Sequence, residues 1–318
     1  MLNPFRIANL SVLAGILAGL LIFSGIQAGE VYKWQDEDGI WHFSSIPPND
    51  DERYTMLNMP SENNPLATLR KLGTEHEPEY VAINHTWGPV ELLVEIHDAE
   101  NVTTDPPLPA SFVVPGQAEA HLLNIRAIDP YQGFSYRLSY NQMIGPPLET
   151  LPSEFDYYPP FPKDMQFPIS QGFDNDVTHH EPPNQYAVDI VMPTGTPVLA
   201  ARGGRVIELE QGFRGGGQKK RFLARANLIR VLHDDGTMAV YAHLQTNSAR
   251  VRRGARVERG QWIANSGNTG FSSGPHLHFV IQLNAGMSLQ SVPFRFVAPD
   301  GKTMTPENRS MIDGVLPN

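Results

Sequence analysis

The chain of 318 residues contains no cysteine. Disulfides and thiolate metal ligands are therefore excluded, and any rigidity beyond ordinary packing has to come from a metal held by histidine and carboxylate. Charge is sparse, with Asp, Glu, Lys and Arg at 18% of residues, and the basic side is the poorer: 24 Lys and Arg against 34 Asp and Glu leave a formal net charge of -10. That balance argues against a nucleic-acid partner, which needs a concentrated positive face. What the chain has in abundance is turn chemistry, 27 Gly and 28 Pro, which with the low charge points to a β-rich chain of roughly two domains.

The residues from Asn9 to Ile26 form an apolar stretch behind the single Arg6, and it ends in the small residues Ser24-Gly25-Ile26-Gln27-Ala28. This reads as a signal peptide over 1–28, cleaved after Ala28; kept uncleaved, its roughly 18 apolar residues would just span a bilayer and serve as an anchor. In either case the remainder is delivered outside the cytoplasm. Over 29–60, Val31-Tyr32-Lys33-Trp34 and Trp41-His42-Phe43-Ser44 flank Asp38-Gly39, a turn dipeptide suited to positive φ, and predict a β-hairpin. This stretch resembles a small bacterial envelope module of unassigned function, a resemblance that implies location and no chemistry.

A polar segment over 61–79 reads as a linker. Over 80–145, runs around Val81–Asn84, Val90–Ile96, Ala110–Pro115, His121–Ile125 and Phe134–Tyr140 alternate with period two between turn residues, which predicts a small antiparallel β-sandwich. His85, His97 and His121 share no spacing and are read as structural. The Pro-rich stretch over 146–164 reads as a semi-rigid spacer, 165–300 as a third, strand-rich domain with no helix longer than a turn or two, and 301–318 as a tail. The fold class expected for the whole is all-β.

Chemistry concentrates in the third domain. A glycine-rich turn, Gly267-Asn268-Thr269-Gly270-Phe271-Ser272-Ser273-Gly274-Pro275, runs into His276-Leu277-His278-Phe279. Alternation in a strand puts His276 and His278 on one face, a geometry suited to metal. Asp189 is the only charge in the apolar run Tyr186–Val191, an expensive placement unless a cation or partner compensates it. Thr178-His179-His180-Glu181 offers two imidazoles on a Pro-bounded loop just upstream. The hairpin around Asp234-Asp235-Gly236 ends in Tyr241-Ala242-His243-Leu244, which places His243 on the same face as Tyr241.

These motifs, in this order, resemble the lysostaphin-type, LytM-like zinc metallopeptidases over His179 to Phe279: an Asp-bearing strand before Gly195-Thr196-Pro197-Val198, the Tyr241-x-His243-Leu244 strand end, the glycine-rich turn and the His276-Leu277-His278 strand. The resemblance implies an antiparallel β domain with a groove, one zinc ion, and cleavage of peptide bonds in bacterial peptidoglycan. It implies Asp189 and His278 as zinc ligands and His243 and His276 as catalytic histidines. Many relatives place the first ligand His where this chain has Gln185; a branch carries it further upstream, which points to His179, with His180 as the alternative. A regulator that binds an envelope protein such as an amidase through the same groove is the competing reading. The basic cluster of Arg214, Lys219-Lys220-Arg221 and Arg225 lies in a Gly-rich insertion; it reads as a solvated loop in preference to a contact for an anionic wall polymer.

Overall fold

The computed structural model describes residues 65–150, 156–173, 179, 181–219, 222–223 and 225–315, together with the backbone strands Leu20–Leu21, Gly29–Gln35, Trp41–Ser44 and Tyr54–Met59. The rest of residues 1–28, read above as a signal peptide, the Asp38-Gly39 turn, His180 and the Lys220-Arg221 pair lie outside the described residues. The fold is all-β and largely antiparallel, with no α-helix among the described residues. Gly29–Gln35 pairs with Trp41–Ser44, as a hairpin requires, and also with Tyr54–Met59, a third strand that the hairpin reading did not anticipate.

The next unit packs two sheets face to face. In one, Ser135–Ile144, Val90–Glu100 and Ala110–Val114 lie side by side; in the other, Ala67–Gly73, Pro78–Asn84, Glu119–Ala127 and Val102–Asp105 do. Alternate residues of both, among them Leu92, Val94, Leu123, Ile125 and Leu138, fill the shared core, the arrangement that period-two patterning dictates for stacked sheets. Ala67–Gly73 falls inside the segment read as a linker. It is a strand because Ala67 and Leu69 alternate into that core.

The C-terminal unit is built on one long antiparallel sheet. Its strands run in the order Arg256–Val257, Gly204–Glu210, Leu228–Leu232, Met238–Ala242, Leu277–Asn284, Val188–Ile190, Gln166–Gln171 and Met311–Asp313. One face carries Val206, Ile229, Val231, Ala239, Tyr241, Leu277, Phe279 and Ile281 into the main core. The Pro-rich stretch does not stand clear of this core, since Tyr157 and Phe161 are buried in it, and Tyr157 meets Phe279 and Phe294 edge-on. The C-terminal residues also join it, through Ile312 on a paired strand. Proximity along the chain is no guide to either contact, and both depend on apolar side chains reaching a distant core.

The other face of the sheet bears Ile207, Leu232, Met238, Val240, Ala242, His278, Val280, Gln282 and Asn284. The sandwich is seated on one end of it: Ile144 packs with Ile207 and Met238, and Leu66 borders the same cluster. Glu91, 4% exposed, accepts hydrogen bonds from Asn284 Nδ2 at 2.7 Å and from the Met287 amide at 2.9 Å. Each apolar side chain so covered contributes about 2 kcal/mol. The opposite end of this face holds the histidines.

Candidate metal centre

Backbone register assembles most of the centre. Asp189 stands opposite His278, and His278 opposite Ala242. Opposed residues in an antiparallel ladder present their side chains on the same face about 5 Å apart, so Asp189 and His278 meet directly, with Oδ1 2.9 Å from Nδ1. His179 enters from the loop ahead of the Asp strand, its Nε2 3.5 Å from the same Oδ1. One ligand atom from each of His179, Asp189 and His278 falls within 4.8 Å of the others. Gln185 is not in that group.

The two remaining histidines adjoin it. His276 directly precedes its strand and donates Nδ1–H to the Gly274 carbonyl at 2.8 Å, which leaves Nε2 3.7 Å from Asp189 Oδ1. His243 lies with its ring centroid 4.5 Å from that of His276 and 5.9 Å from that of His278. The expectation that it shares a face with Tyr241 fails. Tyr241 points into the core, 5.1 Å from Phe279, whereas His243 has a φ of 61°. This left-handed backbone, uncommon outside glycine, breaks the alternation at the strand end and turns the imidazole to the metal pole. The Thr269 carbonyl holds it there, accepting Nδ1–H at 2.7 Å. The sandwich histidines play no part: His85, His97 and His121 bond locally to Thr68, Ser139 and Asn124.

Burial opposes the ionisation of Asp189, yet His179, whose Nε2 faces Oδ1 at 3.5 Å, the hydrogen bond from His278 and the charges of the nearby imidazoles outweigh it and hold the carboxyl well below its usual range. His179 is likewise disfavoured as a cation by burial, and Asp189 more than reverses this, raising its pKa. For His243 burial dominates and the neighbouring histidines reinforce it, pushing the pKa down to about 3.

Does this set fit a metal? His179 is 1% exposed, its Nδ1–H is given to the Gly172 carbonyl at 3.1 Å, and its buried Nε2 has no hydrogen-bond partner. Leaving such an atom unsatisfied costs about 1–3 kcal/mol, which a cation between it and Asp189 would relieve. With an ion in place, Asn184 Oδ1, 3.3 Å from His278 Nε2, would hold the proton there and free the Nδ1 lone pair for the ion. Two imidazole nitrogens and a carboxylate oxygen form a donor set that zinc uses in hydrolytic sites. The residues fit.

Residues that motif reading passed over complete the surroundings. A bulge between Ile169 and Gln171 shifts the register so that Gln171 opposes Asp189, and Gln171 Nε2 donates to Asp189 Oδ2 at 2.6 Å. Bulges beside functional sites re-aim side chains in this way. Asn184 belongs to the same group. Ser272, read as a turn-former, is one, since its hydroxyl donates to the Gly274 carbonyl at 2.8 Å; it also lies 3.2 Å from His276 Nδ1. Only Ser272 carried any sequence signal, as part of the turn before the histidine strand.

Comparison with known proteins matches residues 183–290 to Peptidase family M23 and residues 18–67 to a domain of unknown function, DUF4124. Glycyl-glycine endopeptidase ALE-1 of Staphylococcus capitis is 39% identical over 103 residues, 32% of this chain and 25% of that protein. Peptidoglycan DD-endopeptidase ShyA of Vibrio cholerae is 34% identical over 123 residues, 37% of this chain and 26% of that protein. The structure of the antimicrobial peptidase lysostaphin from Staphylococcus simulans aligns at 29% identity over 39% of this chain and 47% of that one, with a TM-score of 0.30. The chain thus spans about a quarter of the length of the two curated relatives, and His179 lies just upstream of the family match. Behind an N-terminal domain of unknown function, the chain carries a peptidase family M23 domain, with Asp189, His243, His276 and His278 inside it.

Proposed function

We propose that the chain is a zinc-dependent endopeptidase that hydrolyses peptide cross-links of bacterial peptidoglycan outside the cytoplasm. The observation that carries this reading is the convergence of His179, Asp189 and His278 with two further imidazoles whose Nδ1–H groups are already committed to backbone carbonyls. His179 Nε2, Asp189 Oδ1 and His278 Nδ1 would hold the ion. When bound, zinc polarises the scissile carbonyl and makes a water molecule acidic enough to attack near neutral pH.

The chain's own groups handle the proton. With Nδ1–H given to Gly274, His276 carries its lone pair on Nε2, where it takes the proton of the attacking water and returns it to the leaving amine. His243, with Nδ1–H given to Thr269, likewise presents Nε2 as an acceptor and orients that water. The apolar segment from Asn9 to Ile26 supports export, and the similarity to a glycyl-glycine endopeptidase and a peptidoglycan DD-endopeptidase supports the substrate class.

The test is digestion of purified sacculi by the full chain, followed as released soluble peptide. Release that stops with chelator, returns with added zinc and is absent in His278→Ala is the expected result. A wild-type protein that holds one equivalent of zinc and releases nothing overturns the reading.

A further inference from the structure

The Gly-rich insertion does not behave as a free loop. Its two ends are pinned by Asn227, 0% exposed, which accepts from the Phe213 amide at 2.9 Å, donates to the Phe213 carbonyl at 3.0 Å and donates to the Leu244 carbonyl, next to His243, at 3.2 Å. Its glycines then run beside the turn that holds His243. The Gly217 amide donates to the Gly270 carbonyl at 3.0 Å, and the Gly270 amide to the Gly215 carbonyl at 3.1 Å. A Cβ on Gly216 would stand 2.1 Å from the Asn268 carbonyl oxygen, so only glycine permits this approach. Gly270 is the neighbour of Thr269, whose carbonyl fixes His243. The insertion is therefore built into the rim of the candidate metal centre.

Its charge is as distinctive as its placement. From residue 211 to residue 227 there is no Asp or Glu, while the segment carries Arg214, Lys219, Lys220, Arg221 and Arg225, in a chain whose net charge is -10. Arg214, Lys219 and Arg225 are exposed, and among the described residues no carboxylate forms an ion pair with Arg214 or Lys219. Cations concentrated beside a site raise the local concentration of anionic substrates and orient them as they enter.

We propose that the 213–219 arm of the insertion is a cationic wall of the substrate site, and that Arg214 and Lys219 receive carboxylates of an anionic wall peptide. This rests on the peptidoglycan reading above and deepens it by naming the charge of the peptide accepted. It also replaces the solvated-loop reading of the same residues.

The test separates the two claims by measuring binding apart from cleavage. Full-length wild type and the Arg214→Gln/Lys219→Gln variant are co-sedimented with purified sacculi and with sacculi whose carboxylates have been amidated. The control is Lys163→Gln/Lys302→Gln, which removes two exposed cations away from the insertion. At low ionic strength the insertion variant should bind untreated sacculi about five- to tenfold more weakly than wild type, with the gap closing as salt rises. It should match wild type on amidated sacculi, and the control should match wild type on both. Equal binding by wild type and the insertion variant on untreated sacculi, or an equal loss in the control, overturns the proposal. Soluble fragments released in the same tubes report the enzyme separately: carboxylate-dependent binding without release refutes the endopeptidase and leaves the cationic wall standing, and release with unimpaired variant binding does the reverse.

Discussion

Two buried histidines of the C-terminal domain have nearly the same local structure and opposite chemistry. His179 and His233 are 1% and 3% exposed, each gives Nδ1–H to a glycine carbonyl, Gly172 at 3.1 Å and Gly203 at 2.8 Å, and each has a buried Nε2 with no hydrogen-bond partner. They differ in what surrounds the ring. At His179 a buried carboxylate lies 3.5 Å from Nε2 and the ring of His278 is 5.4 Å away, and the pKa is raised. At His233 the neighbour is the Tyr157 ring at 5.7 Å, and the nearby Asp234 and Asp235 are both engaged by Arg202 at 2.5 Å. Burial, helped by the Arg202 charge, pushes its pKa down to about 4. An orphaned imidazole nitrogen is thus no mark of a metal site by itself. What singles out the candidate centre is a carboxylate and further imidazoles converging on the same point.

The largest expected effect tests that distinction directly. Replacing His179 with Ala should remove stoichiometric zinc from the purified protein and lower peptide release by about a thousandfold, the scale of losing several kcal/mol of charge stabilisation. His180→Ala should keep both. A His180→Ala protein that loses its zinc while His179→Ala retains it would break the comparison, and would assign the first ligand to the neighbour. Replacing His233 with Phe should leave the zinc content at one equivalent.

How far this centre was legible depends on whether a residue obeys the periodicity of its strand. His276, His278 and Asp189 could be placed from alternation and from the cost of a lone charge in an apolar run, because their strands are regular there. His243 could be picked out as a motif residue but was assigned to the wrong face, since a φ of 61° at a non-glycine position leaves no trace in the sequence. Gln171 was invisible, because the bulge that aims it at Asp189 lies in an ordinary-looking strand. The same logic holds for the fold. The sandwich strands announced themselves by period two, whereas the burial of Tyr157, Phe161 and Ile312 in a remote core depends on contacts that no local pattern encodes.

A smaller effect sharpens the other side of the comparison. The folded pKa of His233 is about 4, below the roughly 6.5 of an unfolded chain. Between those values the unfolded state binds more protons, so the stability that comes from keeping His233 neutral is complete above about pH 6.5 and is lost as pH falls toward 4. The full swing is about 3 kcal/mol, of which about 2 kcal/mol is gone by pH 5. Unfolding free energies from urea titrations should fall further between pH 7 and pH 5 for wild type than for His233→Phe, by that margin. Identical pH responses in the two proteins would show that His233 is able to charge in the folded state, and the contrast with His179 would then rest on placement alone.

The smallest effect concerns what holds the carboxylate. Gln171 Nε2 lies 2.6 Å from Asp189 Oδ2, and His179 and His278 both address Oδ1. The carboxylate is therefore tied at one oxygen and offered at the other. Without the bulge, Gln171 would oppose Val188 instead, and the Asp189 side chain would lose this tie at Oδ2. Partners of this kind orient a ligand without touching the ion, and their removal typically costs about 10- to 100-fold in metal affinity. Gln171→Leu is expected to weaken zinc binding within that range in competition titrations with a chromogenic chelator, with the folded structure retained, because the bulge belongs to the backbone and not to the amide. Gln171→Asn, one methylene shorter, should fall between the two. An unchanged affinity in Gln171→Leu would mean that the imidazoles alone fix Asp189, and that what separates the centre at His179 from the sealed ring of His233 is the carboxylate's presence and not its orientation.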